Sequence, residues 1–423
     1  MNKLALFGGE KTITETFAPY RSIGQEEVDA AKAVVETGLL SQFVGEWEPE
    51  FYGGSKIKEL EREWERYFQT KHAVTVNSST SGLIAAVGAL GIGLGDEVIV
   101  SPWTMCASAT AILVWNAVPV FADIEAETFN LDPKSIEANI TERTKAIMVP
   151  DICGHAADLD AIMEIAARHG LKVIEDAAQV PGALYKGRYA GTVADIGVYS
   201  LNYHKHIHTG EGGVCVTNDP DLAERLQLIR NHGEAVVEGK GVENIVNMIG
   251  FNFRMGEIEA AIGLEQLKKL SNFTDAKVTA ADGLTAGLSG LKGLRMPVVK
   301  PDCTHVYYTY PLVFDQKVAG ISRERVIEAL RAEGVAVGAG YQNIHLLPMY
   351  QKKIAYGTDG FPWSSSSYIG NGPSYEKGIC PVAEDLHDEG FIAIPICVFE
   401  YSEHEVDLTV QAFQKVWNSL GQL

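Results

Sequence analysis

Ser22 and Gln25 have the spacing of a capping box, and Val28, Ala31, Val34 and Val35 then recur at helical intervals until Gly38. The pattern predicts an amphipathic helix that opens behind Ser22 and closes at Gly38. Beyond it the period changes. Apolar, β-branched runs at Ala73–Val76, Glu97–Val100, Val118–Phe121, Ala146–Val149 and Leu171–Ile174 alternate with helical patterns of crossover length. Strands joined by such crossovers lie parallel, with helices on both faces of the sheet. The sequence therefore predicts an α/β fold on a mostly parallel sheet, with its ligand site beyond the carboxyl ends of the strands. Asn77, Ser101, Asp123, Pro150 and Asp176 fall at those ends. After Leu270 the periodicity is mixed. A helix at Arg323–Glu333 between strand-like runs marks a second unit starting near Lys292, which divides the chain into a large domain (1–290) and a smaller α+β domain (291–423). No internal repeat is visible. Phe43–Gly54 and Gly357–Gly378, rich in Gly and aromatic residues, read as ordered loops, the latter as a lid, or as insertions without a catalytic part.

The chemistry concentrates around Lys205, in the run Tyr199-Ser200-Leu201-Asn202-Tyr203-His204-Lys205-His206-Ile207-His208-Thr209-Gly210-Glu211-Gly212-Gly213. A lysine attacks carbonyls only when its surroundings depress its pKa, and the flanking histidines and glycine-rich turn are the expected source of that effect. Most lysines are solvated surface residues, so the other parts of the site decide the reading. Asp176, ending a strand, has the position to hold a pyridine nitrogen protonated, as pyridoxal phosphate (PLP) requires; alone it would read as a helix cap or a surface charge. Gln179 follows one helical turn later, toward the cofactor's 3-hydroxyl. Ser78, Ser79 and Thr80 precede the helical pattern Gly82–Leu90 and form an anion cradle at a helix N-terminus, to which Ser200 adds a hydroxyl. His204, His206 and His208 offer a rival: in a strand they would share one face, with zinc or nickel as ligand. No acidic or thiolate partner has matching spacing, and packing or supporting roles explain them as well.

Composition narrows the class. The chain has 423 residues, 46% hydrophobic and 21% charged, enough for a large core and more than one domain. Its formal charge of −20 argues against binding nucleic acid or anionic membranes. Met1–Thr12 carries no secretory h-region, and no later stretch is apolar enough to span a bilayer. The six cysteines form no CxxC pair, so neither a disulfide framework nor a thiolate zinc site is expected. A reduced cytoplasm is the expected setting.

Taken together, Ile23-Gly24-Gln25-Glu26-Glu27, the Asn77–Gly82 loop, Gly95–Val100, Glu175-Asp176-Ala177-Ala178-Gln179, Lys205 with Thr209–Gly213, and Gly250-Phe251-Asn252-Phe253-Arg254-Met255 resemble the DegT/DnrJ/StrS family of PLP-dependent sugar aminotransferases. The resemblance runs from about Ser22 to Leu270 and more thinly to the C-terminus. It implies a fold-type I aminotransferase with Lys205 as the Schiff-base lysine, Asp176 on the pyridinium, Gln179 near the cofactor's hydroxyl, and Ser79, Thr80 and Ser200 on the phosphate. It further implies a homodimer in which Asn252 and Arg254 reach the partner's site. The implied reaction moves an amino group from L-glutamate or L-glutamine to a keto sugar, foremost a nucleotide-linked one, or to a related keto polyol. A regulatory PLP-binding protein and a PLP lyase are the alternatives. The sequence departs from the family twice. Met105 follows Thr104 where an aromatic residue usually stacks on the cofactor ring, a role open to Met105 or Trp103, and Leu201 follows Ser200 where an aromatic is common. Relatives with histidine in place of the lysine are dehydrases, an outcome that Lys205 argues against.

Overall fold

The computed structural model describes residues 3–368 and 372–423. Its main sheet has seven strands in the order β1-β9-β8-β5-β4-β2-β3: β1 (His72–Val76), β2 (Glu97–Val100), β3 (Val118–Phe121), β4 (Thr144–Pro150), β5 (Lys172–Asp176), β8 (Ile196–Ser200) and β9 (Gly213–Thr217). The hairpin β6 (Leu184–Tyr185) and β7 (Arg188–Tyr189) lies apart from it. From β3 to β8 the pairings are parallel; β9 alone runs against its neighbours β8 and β1. Nearly every residue of these strands is buried, as expected for a sheet covered on both faces. The carboxyl ends of β1, β2, β4, β5 and β8 therefore open on one edge.

A second sheet, β10 (Leu294–Arg295), β11 (Tyr310–Phe314) and β12 (Phe391–Ile394), is antiparallel and packs with the helices Arg323–Ala332 and Glu403–Trp417. Leu4 and Ile13 join this C-terminal core. They are tied there by Glu333, whose carboxylate accepts hydrogen bonds from Ala5 N, Thr12 N and Lys415 Nζ. One helix of 32 residues, Glu257–Leu288, spans the stretch where the sequence periodicity is mixed. It packs on the helices Gln25–Thr37, Ser55–Phe68 and Glu403–Trp417, so its apolar face turns from one neighbour to the next.

Several local expectations need correction. The first helix is capped at Gly24, not Ser22: the Glu27 carboxylate accepts the Gly24 N–H, and Ser22 gives its carbonyl to Gln266. Of its apolar stripe only Val34 is buried; Val28 and Val35 stay exposed. The Asp123 carboxylate is engaged within the fold. It accepts the Val382 and Ala383 N–H groups and so caps the short helix Pro381–Asp385. The described part of Gly357–Gly378 is no lid. Trp363, Tyr368 and Tyr375 are buried in the main core, and the hydroxyls of Tyr368 and Tyr375 donate to Asp96 O and Pro119 O, beside β2 and in edge strand β3. Residues 369–371 of that stretch lie outside the described residues. Phe43–Gly54 also packs inward: Phe51 joins Leu228, Val236 and Met248, and Trp47 lies against both Phe51 and Tyr52.

Candidate active site

The sheet edge gathers one cavity of about 250 Å³. Ser78, Ser79 and Thr80 reach it from the end of β1, Thr104 and Met105 from beyond β2, Pro150 from β4, and Asp176 from β5. Ser200 and Lys205 reach it from the end of β8 and the loop after it.

Lys205 is 7% exposed, and its Nζ lies 4.1 Å from the centroid of the Tyr308 ring. Burial brings its pKa down to about 8; Asp176 and Cys397 pull the other way. The low-dielectric setting, not the histidines, thus depresses its pKa, which corrects the expectation from sequence. The stretch around it forms turns rather than a strand, so His204, His206 and His208 share no face. His206 is fully buried with Nε2 on Val306 O. Among the described residues no group of three or more potential ligands is arranged to hold a metal ion.

Asp176 is buried at the end of β5. Its Oδ2 accepts from Ser108 Oγ at 2.8 Å and its Oδ1 from Ala178 N at 3.3 Å. Burial raises its pKa, while these two bonds and the Lys205 charge oppose the shift. Gln179 lines the cavity but is engaged at both ends of its amide, accepting from Cys153 N and donating to Tyr341 OH at 2.8 Å. Ser108, Tyr308 and Tyr341 had no signal in the sequence. The tyrosines come from a distant part of the chain, and Ser108 reads there as one more helix residue.

The helix Ser79–Ala89 begins three residues earlier than the sequence pattern suggests, so Ser79 and Thr80 form its first turn and Ser78 is its N-cap, accepting from Ser81 N. Two glycines allow this helix to press on the sheet. A Cβ at Gly213 would stand 2.8 Å from Ser79 N, and one at Gly82 would stand 2.7 Å from the Val198 side chain. Free N–H groups of a first turn, two hydroxyls and the nearby Ser200 make an anion site of the right chemistry for a phosphate.

Met105 is 58% exposed and lines the cavity. Trp103 is fully buried against Phe391 and faces away, which removes it as a stacking residue. Asn252 and Arg254 do not line this cavity. Arg254 Nε donates to Asn252 Oδ1 at 2.8 Å, and the Asn252 and Phe253 carbonyls accept from Asn77.

These features fit PLP: a buried amine, a buried carboxylate across the same cavity, and an anion site at a helix terminus. The DegT/DnrJ/EryC1/StrS aminotransferase family model matches residues 41–371. The chain belongs to this family. It is a PLP-dependent aminotransferase of fold type I. It is 38% identical over 298 residues to GDP-perosamine synthase of Caulobacter vibrioides, covering 70% of this chain and 79% of that one. To the L-glutamine:2-deoxy-scyllo-inosose aminotransferase of Streptomyces kanamyceticus it is 34% identical over 376 residues, covering 86% and 85%. The solved aminotransferase from Psychrobacter cryohalolentis superposes with a TM-score of 0.82 at 29% identity, covering 96% of this chain and all of that one.

Proposed function

We propose that this enzyme transfers the amino group of L-glutamate or L-glutamine to a keto sugar or cyclic keto polyol in two half-reactions at the Lys205 cavity. The observation that carries the reading is the pairing of two buried groups, Lys205 and Asp176, across one cavity. PLP, when bound, accepts the electron pair released as a proton leaves the amino-bearing carbon. Lys205 Nζ would hold the cofactor in the resting enzyme. Displaced by the donor, the same amine takes the proton from the substrate carbon and later returns one. A pKa of about 8 raises its neutral fraction near pH 7 by roughly 300-fold over an ordinary lysine. Asp176 would hold the ring nitrogen protonated, with Ser108 fixing the carboxylate. Ser79, Thr80 and Ser200 would bind the phosphate. Gln179 has one amide hydrogen left that would serve the cofactor's hydroxyl, and Met105, which lines the same cavity, would lie against the ring.

The reading includes a homodimer in which Asn252 and Arg254 serve the partner's site. Its support is the exposed apolar row Ile23, Val28, Val35, Leu39 and Leu40, together with Met105 and Tyr203. It also includes a cytoplasmic setting, consistent with six unpaired cysteines. The deciding experiment is the absorption spectrum of the PLP-loaded protein before and after adding L-glutamate or L-glutamine without acceptor. The visible band of lysine-bound cofactor should vanish, with one equivalent of 2-oxo acid formed. A band that neither donor alters supports a regulatory protein instead, and repeated turnover without acceptor supports a lyase.

A further inference from the structure

We propose that the acceptor is an uncharged polyhydroxylated ketone, a cyclic keto polyol rather than a sugar carrying a phosphate or nucleoside diphosphate, and that Asn202, His204 and Glu211 read its hydroxyl groups. The inference rests on the aminotransferase reading of the cavity and narrows its substrate.

The charge around the cavity is the first argument. Among the described residues that line it, Lys205 is the one cation, against the carboxylates of Asp176 and Glu211. Lys205 is committed to the cofactor. Two basic residues that follow β5 in the chain, Lys186 and Arg188, sit on the β6–β7 hairpin, both paired with Asp160. The stretch of chain that leads to Asn252 and Arg254, the two residues that the family resemblance sends to the partner's site, is no more basic. Residues 231–255 carry Glu234, Glu238 and Glu243 against Lys240 and Arg254. Lys240 is paired with Glu224 and lies over Trp47, and the Arg254 guanidinium donates to Asn252 Oδ1. A diphosphate entering here would meet Glu211 with no free cation in the cavity to balance it.

The second argument is the chemistry that remains. Asn202 Nδ2 donates to both oxygens of Glu211 at 2.9 Å, which fixes the carboxylate in one plane at the cavity wall. Its other lone pairs suit two adjacent hydroxyls. Asn202 Oδ1 is buried without a hydrogen-bond partner, an acceptor left for a ligand hydroxyl. His204 lines the same wall, and its ring forms no hydrogen bond with the described residues. Burial, then the Lys205 charge, lowers its pKa to about 4, so near pH 7 one ring nitrogen donates and the other accepts. An amide oxygen, a carboxylate and a neutral imidazole form a set for reading hydroxyls, not phosphates.

The test uses the full-length, PLP-loaded protein. After amination by L-glutamine or L-glutamate, it is challenged with scyllo-inosose or with a GDP-linked 4-keto-6-deoxyhexose, and return of the visible band is followed. At least 100-fold higher kcat/KM for scyllo-inosose is expected; equal or greater efficiency with the GDP-linked sugar overturns the proposal while leaving the aminotransferase reading intact. Calorimetric titration with scyllo-inosamine and with GDP-perosamine needs no turnover. If neither donor aminates the enzyme, the aminotransferase reading fails and the titration alone decides the ligand class: tighter scyllo-inosamine supports the proposal, and tighter GDP-perosamine overturns it. Glu211→Gln should weaken scyllo-inosamine roughly tenfold and strengthen GDP-perosamine. A variant that moves neither affinity removes Glu211 from recognition and overturns the proposal.

Discussion

Two lysines are buried among the described residues, Lys205 and Lys277, and both lie over a tyrosine ring: Lys205 Nζ is 4.1 Å from the Tyr308 centroid, and Lys277 Nζ 3.9 Å from that of Tyr20. Burial depresses the pKa of each, and the buried thiol of Cys397 lies within electrostatic reach of both. Yet they serve different ends. Lys205 opens into a cavity with Asp176 across it. Lys277 sits on the long helix, where its ammonium donates to Phe399 O at 3.4 Å, and Tyr20 beside it donates to His206 O at 2.7 Å. Lys277 thus holds the Phe399 segment to the long helix, while Tyr20 ties the N-terminal segment to the loop that carries Lys205. A perturbed pKa therefore does not by itself distinguish the two; the cavity and the facing carboxylate do, and on them the proposed role of Lys205 rests.

The largest effect separates the two directly. Lys205→Ala should lower turnover by at least about 10³-fold in both half-reactions, the scale of a lost nucleophile and general base, with the thermal midpoint of the cofactor-free protein retained. Lys277→Met should leave kcat within several-fold. Near-normal turnover in Lys205→Ala, measured by oxo-acid release, would end the assignment.

Next in size is Asp176→Asn, for which a loss of roughly 10²-fold in kcat is expected, since an amide no longer holds the ring nitrogen protonated. The carboxylate is raised in pKa by burial, so it binds a proton more readily folded than unfolded. That ionised group costs stability above its unfolded pKa, and removing its charge should leave the cofactor-free protein as stable as before or more so. A fall in both activity and thermal midpoint would instead make Asp176 a structural residue. Ser108→Ala should lie between this variant and the parent enzyme.

How much of this was readable beforehand depends on the range over which each residue acts. Asp176 and Ser200 end strands, and Ser79 and Thr80 open the helix that follows β1, places that follow from local periodicity to within a turn. Tyr308 and Tyr341 join the cavity through the C-terminal half of the chain, a long-range contact with no local signature. The cap at Gly24 was missed because a glycine offers no side chain to notice; Glu27 supplies the missing acceptor. Trp103 failed as a stacking residue because the apolar core outbid the cavity for a ring that large. The aromatic stretch near residue 363 likewise looked like a lid because its composition is that of a loop, while its rings fill the core.

The pH dependence of the two amines sharpens the comparison further. Reductive methylation of the cofactor-free protein, read by mass spectrometry at each lysine, should give Lys205 a midpoint near pH 8, with reactivity rising as pH rises through it. Lys277, which lines no part of the Lys205 cavity, should react far more slowly at every pH. A Lys205 midpoint above pH 10 would mean that its burial does not desolvate the charge.

The smallest expected effect concerns the tyrosine faces themselves. A ring under an ammonium stabilises the charged form by about 0.5–1 kcal/mol, which opposes the desolvation that dominates at Lys205. Tyr308→Leu keeps an apolar cover but removes the π face, so the methylation midpoint of Lys205 should fall by roughly half a unit. Tyr308→Phe keeps the face and should leave the midpoint in place, which separates the ring's contribution from that of the hydroxyl. Tyr20→Leu removes the other ring and should not move Lys205 at all, although it releases the bond to His206 O. If Tyr20→Leu shifts the Lys205 midpoint as far as Tyr308→Leu does, the two buried lysines titrate as one electrostatic unit, and the division between a reactive and a fastening lysine is lost.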